Sequence, residues 1–282
     1  MHTECTIRFL RSRVQRWRRA GEHIALVPTM GNLHAGHLAL VEQARRLADR
    51  VVVTVFVNPT QFGAGEDFSS YPRTLEQDAN LLVKAEVDLM FTPEVEELYP
   101  GGQGCGTYIE VPELSDILCG AFRPGHFRGV ATVVAKFFNC VQPDIAVFGE
   151  KDYQQLLVIR KMTAELCLPI KIVAVPTVRE IDGLALSSRN AYLTDEQRNS
   201  APLLYKSLLQ CKKRILSGER NFAALASRAE SELHAAGFEP DYFEIRRADN
   251  LAESTVDTDE LVILAAAHLG KTRLIDNVVF SL

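Results

Sequence analysis

Leu26-Val27-Pro28-Thr29-Met30-Gly31-Asn32-Leu33-His34-Ala35-Gly36-His37-Leu38-Ala39-Leu40 decides the fold, because here an apolar run passes through a glycine-bearing turn into a helical pattern. The residues from His23 to Val27 are short and apolar, as a buried parallel strand is, and Pro28 is expected to stop the ladder because it has no N–H to donate. Gly31 and Gly36 permit a tight turn and a close approach of backbone to ligand. A helix N-terminus offers unpaired N–H groups and the positive end of a dipole, so the junction suits phosphate. His34 and His37 stand one helical turn apart and can address one object. Taken singly, each is as readily a polar residue on a first helical turn. It is the pair, with two glycines at a strand-to-helix junction, that carries the functional reading.

Outward from this stretch, 282 residues with 47% apolar content give material for one large or two ordinary domains. A net charge of −5 and a pI near 5.9 argue against non-specific nucleic-acid binding, which needs clustered Lys and Arg. Small anions can still be bound by local groups. The six cysteines (Cys5, Cys105, Cys119, Cys140, Cys167, Cys211) are scattered without C-x-x-C or zinc-finger spacing, which suggests reduced thiols in a cytoplasmic protein. No run reaches the length of a membrane span, and no secretory signal is evident. Near the N-terminus, Arg8, Arg11, Arg13, Arg16, Arg18 and Arg19 surround Ile7, Leu10, Val14 and Trp17 at helical spacing. Such a segment can be an organelle transit peptide, but the apolar stripe leads straight into the first strand and favours a surface helix docked by Trp17.

The pattern then alternates. A helix over 38–49 precedes the β-branched strand 50–57, which ends at Asn58-Pro59-Thr60-Gln61-Phe62-Gly63. In a parallel α/β sheet ligands lie outside the carboxyl ends of the strands, so Asn58 and Gln61 share a rim with the histidines. Asn58 alone also reads as a turn initiator before Pro59. A loop over 66–73, a helix over 73–86 carrying Asp78, and a strand over 87–92 follow; Asp78 by pattern is a solvated acid. Gly101 to Gly106 invites a phosphate-loop reading, yet no helix opens after it, so a flexible connection to a strand-like run over 107–111 is expected. A helix over 130–141 and a strand over 144–149 deliver Gly149-Glu150-Lys151-Asp152-Tyr153-Gln154-Gln155 into another helix. That junction holds parts a nucleotide site needs, though a polar cap and first turn explain it equally. The strand 170–178 empties into Arg179 to Asn190, where Ser187, Ser188 and Arg189 form either a phosphate clamp or the cap of the next helix. From Thr194 a long helix, a helix over 222–236 and strands over 242–246, 261–266 and 272–280 make an α+β unit.

Six segments in order carry a specific resemblance: Pro28 to His37, Phe56-Val57-Asn58-Pro59-Thr60-Gln61-Phe62, Tyr71-Pro72-Arg73-Thr74, Arg123-Pro124-Gly125-His126-Phe127, Phe148-Gly149-Glu150-Lys151-Asp152 and Leu186-Ser187-Ser188-Arg189-Asn190. The chain resembles, nearly end to end, the pantothenate synthetase family of the nucleotidylyltransferase group, which shares a histidine-motif ancestry with class I aminoacyl-tRNA synthetases. The resemblance implies a Rossmann-like parallel-sheet N-terminal domain (1–180) and a smaller α+β C-terminal domain (181–282) acting as a lid. It also implies condensation of (R)-pantoate with β-alanine, using ATP and Mg²⁺, through a pantoyl-adenylate. On that resemblance His34, His37, Lys151, Ser188 and Arg189 surround the phosphates, with His37 the proton donor. ATP contacts match Met30, Gly31, Asn32, Leu33, His34, Ala35, Gly36, His37, Gly149, Glu150, Lys151, Asp152, Val178, Leu186, Ser187, Ser188 and Arg189. Gln61 and Gln155 match pantoate-holding residues, Asn58 and Arg123 are further candidates for that pocket, and Gln61 also borders β-alanine. Asp78 and Asp152 resemble metal-proximal acids, although Gln77 stands where some relatives carry another acid. Partners are these small molecules, without nucleic acid or membrane, and a homodimer formed through the larger domain. The alternatives are a plain nucleotidyltransferase and a binding-only nucleotide sensor; length and charge disfavour a tRNA synthetase.

Overall fold

The computed structural model describes residues 1–102 and 106–282, so the centre of the connection read at Gly101–Gly106 lies outside the described residues. Two compact units emerge, Met1–Glu150 with Val158–Pro176, and Lys151–Leu157 with Thr177–Leu282. The second unit thus takes in a segment that falls within the stretch 1–180 expected for the first.

The first unit runs β1 (His2–Glu4), α1 (Ile7–Arg19), β2 (Ile24–Thr29), α2 (Ala35–Leu47), β3 (Arg50–Val55), α3 (Leu75–Lys84), β4 (Leu89–Phe91), the short α4 (Val95–Leu98) and α5 (Cys119–Phe122), α6 (His126–Val141), β5 (Ile145–Gly149), α7 (Tyr153–Glu165) and β6 (Lys171–Val175). α7 starts in the segment grouped with the second unit. The strands form one parallel sheet in the order β1-β4-β3-β2-β5-β6. Strand order reverses between β2 and β5, and the crevice outside their carboxyl ends is where an open α/β sheet binds ligands. Val27, Val51, Val53, Met90 and Val147 pack from the sheet against Val41 and Ala44 of α2 and Leu82 of α3. Burial on both faces explains the unbroken apolar runs. Leu10, Val14 and Trp17 dock α1 as expected, and Arg50 lies over the Trp17 ring.

Pro28 does not end its strand: pairing with β3 continues through Thr29, while pairing with β5 stops at Leu26. A residue without an N–H is tolerated where only one neighbour pairs with it. The strand-like run over 107–111 forms no strand. Instead Ile109 N–H bonds to Thr132 Oγ1 on α6, so a side chain takes the place of a ladder partner.

The second unit continues with α8 (Asp195–Ser200), α9 (Leu203–Leu216), α10 (Phe222–Ala235), β7 (Glu239–Arg247), β8 (Glu260–Leu269) and β9 (Thr272–Ser281), the strands antiparallel in that order. The single long helix expected from Thr194 is broken at Pro202, whose ring cannot continue the ladder and which sits at the N-cap of α9. Its capping box, Thr194 with Gln197, is present. Leu204, Leu208, Cys211 and Ile215 of α9 pack with Leu225 and Leu233 of α10 on Phe243, Ile245 and Ile263. Among the described residues, no helix is long and apolar enough to cross a membrane.

Candidate active site

β2 delivers the histidine stretch through a turn that its own side chains tie down. Thr29 Oγ1 donates to Thr54 O at 2.6 Å and accepts from Gly31 N at 3.2 Å. Gly31 (φ +84°) and Asn32 (φ +50°) are both left-handed, which Gly permits at no steric cost and Asn tolerates. Asp78, 1% exposed, accepts from Leu33 N at 2.8 Å and Asn32 N at 3.0 Å. Its place inside the protein departs from the solvated acid its pattern suggests.

α2 then starts one turn earlier than periodicity alone indicates, at Ala35, because His34 is its N-cap. His34 Nδ1 accepts from Gly36 N at 3.1 Å, and His37 Nδ1 accepts from His34 N at 3.3 Å, a capping box built from two imidazoles whose centroids lie 4.1 Å apart. A backbone N–H can only donate, so each Nδ1 is an acceptor and each neutral ring carries its proton on Nε2. The cap therefore fixes the tautomer that can donate to an anion.

A second cluster is joined to this turn through Met30. Gln61, 9% exposed, directs Nε2 to Met30 Sδ at 3.2 Å and accepts at Oε1 from Asn58 Nδ2 at 3.0 Å. Asn58 also donates to Gly129 O at 3.1 Å, while its Oδ1 accepts from Tyr99 Oη at 2.9 Å and Thr60 Oγ1 at 3.0 Å. Both amide hydrogens and the carbonyl of Asn58 are engaged by protein, one of the bonds going to Gln61. Arg123 likewise points at Glu66, with Nε to Oε1 at 2.8 Å and Nη2 to Oε2 at 2.6 Å. His126 takes Arg123 Nη1 at 3.1 Å on Nε2, so its Nδ1–H donates to Gln61 O at 2.8 Å. Burial pushes the Glu66 carboxyl up, but the guanidinium of Arg123 outweighs it and the net shift is downward. The chain Glu66–Arg123–His126 thus holds the backbone of Gln61, and a cavity of about 290 Å³ opens beside it between Tyr99, Tyr108 and His126.

Gly149 ends β5 and Glu150 begins a 3-10 turn, Glu150–Asp152, before α7. In the second unit, Lys151 Nζ lies 4.0 Å from Asp152 Oδ1, and the Asp152 side chain is about half exposed. Lys151 O accepts from Asn277 Nδ2 at 3.0 Å, Tyr153 Oη donates to Ala248 O at 2.8 Å, and Gln155 is half-buried. Val178 O accepts from Leu186 N at 3.0 Å, closing the loop whose next residue, Ser187, caps the 3-10 turn Ser188–Tyr192 by accepting from Arg189 N. Ser187 thus caps this short turn, whereas the next helix, α8, takes its cap from Thr194. The base of the loop is held by Arg179, which pairs in bidentate fashion with buried Asp276 at 2.6 and 2.8 Å and stacks 3.5 Å over Tyr205. Arg179, Asp276, Asn277, Tyr99, Glu66 and His126 were not marked by sequence reasoning as supports. Only His126 and Arg179 lay within segments that drew attention. Among the described residues, no three His, Cys, Asp or Glu side chains gather as a metal-ligating group.

Comparison with known proteins adds an independent line. The sequence model described as pantoate-beta-alanine ligase matches residues 3–279. A pantothenate synthetase of Pseudomonas putida is 57% identical over 282 residues, covering 100% of this chain and 98% of that protein. The crystal structure of pantothenate synthetase from Thermus thermophilus superposes with a TM-score of 0.92 at 48% identity, covering 99% of each chain. A pantoate-beta-alanine ligase from Francisella tularensis, described as complexed with beta-gamma ATP and beta-alanine, gives 0.81 at 33% identity, over 99% of this chain and 97% of that one.

Proposed function

The chain belongs to the pantoate-beta-alanine ligase family, and from that premise we propose that its ATP-dependent condensation of (R)-pantoate with β-alanine runs through a pantoyl-adenylate. In the first step a pantoate carboxylate oxygen attacks the α-phosphorus of ATP, and the bond to the bridging oxygen of pyrophosphate breaks. In the second, the unprotonated amine of β-alanine attacks the acyl carbon, the bond to AMP oxygen breaks, and the amine proton passes to solvent. Charge grows on the phosphoryl oxygens and on pyrophosphate, so the protein's task is positioning and electrostatic stabilisation.

The observation that carries this reading is the imidazole capping box. It leaves the protons of His34 and His37 on Nε2, the form that donates to a phosphoryl oxygen, and His37 is the donor to departing pyrophosphate. Lys151, Ser188 and Arg189 supply further phosphate donors, and the backbone from Met30 to His37, from Gly149 to Asp152, at Val178 and from Leu186 to Arg189 follows ATP. Gln61 and Gln155 hold pantoate, and Gln61 borders β-alanine. Asn58 and Arg123 act through Gln61, since their own hydrogen-bonding groups are engaged by protein.

Mg²⁺ accompanies the nucleotide. Asp152 fits it as a half-exposed carboxylate beside the phosphate-facing lysine, and the small number of acids suits an ion that keeps several waters and takes phosphate oxygens. The ion would neutralise charge on pyrophosphate as it leaves. Pyrophosphate–ATP exchange in the presence of pantoate and absence of β-alanine tests the route. Exchange is expected with pantoate alone, and an exchange that demands β-alanine would eliminate a discrete adenylate. A homodimer belongs to the same reading, checked by sedimentation for a species of twice 31.4 kDa.

A further inference from the structure

Asp78 sits in the first turn of α3, almost wholly buried, and three donors converge on its carboxylate. Oδ1 accepts from Leu33 N at 2.8 Å; Oδ2 accepts from Asn32 N at 3.0 Å and from Thr74 Oγ1 at 3.2 Å. The left-handed backbone at Gly31 and Asn32 turns successive N–H groups to one side, and such a concavity of amides binds anions. Thr74 stands at the N-cap of α3 yet makes no side-chain cap, its hydroxyl being directed to Asp78 instead. A Cβ added at Gly31 would lie 3.0 Å from Asp78 Oδ2 and 3.0 Å from Val55 Cγ1, so the turn and the carboxylate are fitted closely to one another. Leu33, held at its N–H, directly precedes His34, whose extended backbone starts the imidazole cap.

We propose that Asp78 is the resident anion of the 31–33 turn: a positioning residue that fills, from α3, an amide cradle otherwise suited to phosphate, and so fixes the backbone from which His34 and His37 are presented. It is not a metal ligand. A cation there would have to open a turn shut off from solvent and compete with two backbone donors and a hydroxyl for the carboxylate, and any amide it released would be left unpaired. It follows that the phosphate-facing donors of this turn are the imidazoles and not the N–H groups of Asn32 and Leu33. The catalytic consequence rests on the adenylating function proposed above; the occupancy of the cradle does not.

The test uses hydrogen exchange and kinetics on the same proteins. In ligand-free Asp78→Asn, amide exchange at Asn32 and Leu33 is expected to accelerate about tenfold or more, because an amide side chain places N–H against N–H. Pantoate-dependent pyrophosphate exchange should fall by about 100-fold, as small misplacements of reacting groups do, with the Mg²⁺ concentration for half-maximal rate within about twofold of the parent value. In Asp78→Ala, added formate should restore part of the rate by re-entering the cradle. A rise of about tenfold or more in the Mg²⁺ requirement, with exchange at Asn32 and Leu33 unaltered, would overturn the proposal in favour of metal ligation. Should the Asp78 variants fail to fold, Thr74→Val removes one donor and keeps the carboxylate. Faster exchange at Asn32 and Leu33 supports the proposal there, and unchanged exchange with unchanged kinetics refutes it. If the parent protein shows no pantoate-dependent exchange, the adenylate reading fails while the amide-exchange result still decides the role of Asp78.

Discussion

At the residue scale, His34 does two jobs that substitution can separate. Its Nδ1 caps α2, and its Nε2–H is the group proposed to meet phosphate. Asn is among the best N-cap residues but has no group at the position of Nε2. His34→Asn is therefore expected to melt within about 2 °C of the parent yet lose about 100-fold or more in pantoate-dependent pyrophosphate exchange. His34→Ala should lose the same activity and about 1 kcal/mol of stability besides. Equal melting points for the two variants would show that the cap is energetically idle. A pH dependence follows from Glu66. Its carboxyl is depressed by Arg123, so its contribution is complete above the ordinary value of 4.5 and fades as pH falls through the lower folded value. Pantoate KM should thus be insensitive to this pair from pH 5 to 8 and rise only below about pH 4.5, whereas Glu66→Gln should raise it at pH 7. The junction that brings His34 and His37 together was legible because its spacing and glycines are local. The partners of Asn58, Arg123 and Asp78 were not, because they lie 71, 57 and 45 residues away along the chain.

At the scale of elements, the rim of the sheet depends on how closely α6 approaches the turn Pro59–Gln61 after β3. A Cβ added at Gly129 would lie 2.4 Å from Thr60 O and 2.7 Å from Gln61 Cα, distances no side chain can occupy. Gly129 O is also an acceptor for Asn58. Gly129→Ala must push the turn away from the helix, at a cost of about 1–3 kcal/mol, and carry Gln61 with it. The expected signature in steady-state kinetics is a pantoate KM raised by about tenfold with a smaller change in ATP KM, and unchanged KM values would mean that Gln61 does not hold pantoate. In the C-terminal unit, β9 has a comparable part, since adjacent Asp276 and Asn277 hold Arg179 and the carbonyl of Lys151. Alternation of apolar segments made the parallel sheet readable in advance, because strands buried on both faces need continuous apolar runs. Where one side chain overrides a pattern, the reading failed: Pro202 breaks what periodicity joins, and Thr132 takes the N–H that a strand over 107–111 would have offered a ladder. β1 was missed for a related reason, since the ladder of its three residues is with β4, distant in sequence.

At the scale of the whole molecule, each unit holds a buried thiol that reports on its own surroundings. Cys211 lies on α9 within the core of the second unit, where burial pushes its thiol up to about 12. Cys140 lies on α6 in the first unit, also raised by burial, whereas Cys5 and Cys167 are exposed. The thiolate is the reactive form, so a buried, protonated thiol is labelled only when its core opens. Leu208, 0% exposed, belongs to the same stripe of α9 as Cys211, and Leu208→Ala should cost about 2–5 kcal/mol. If the units open separately, the labelling rate of Cys211 rises by at least about 30-fold while that of Cys140 stays at the parent value. Mass spectrometry of iodoacetamide-treated protein resolves the two sites, with Cys5 and Cys167 as internal controls modified in every sample. A parallel rise at Cys140 would mean that the cores open in one cooperative event.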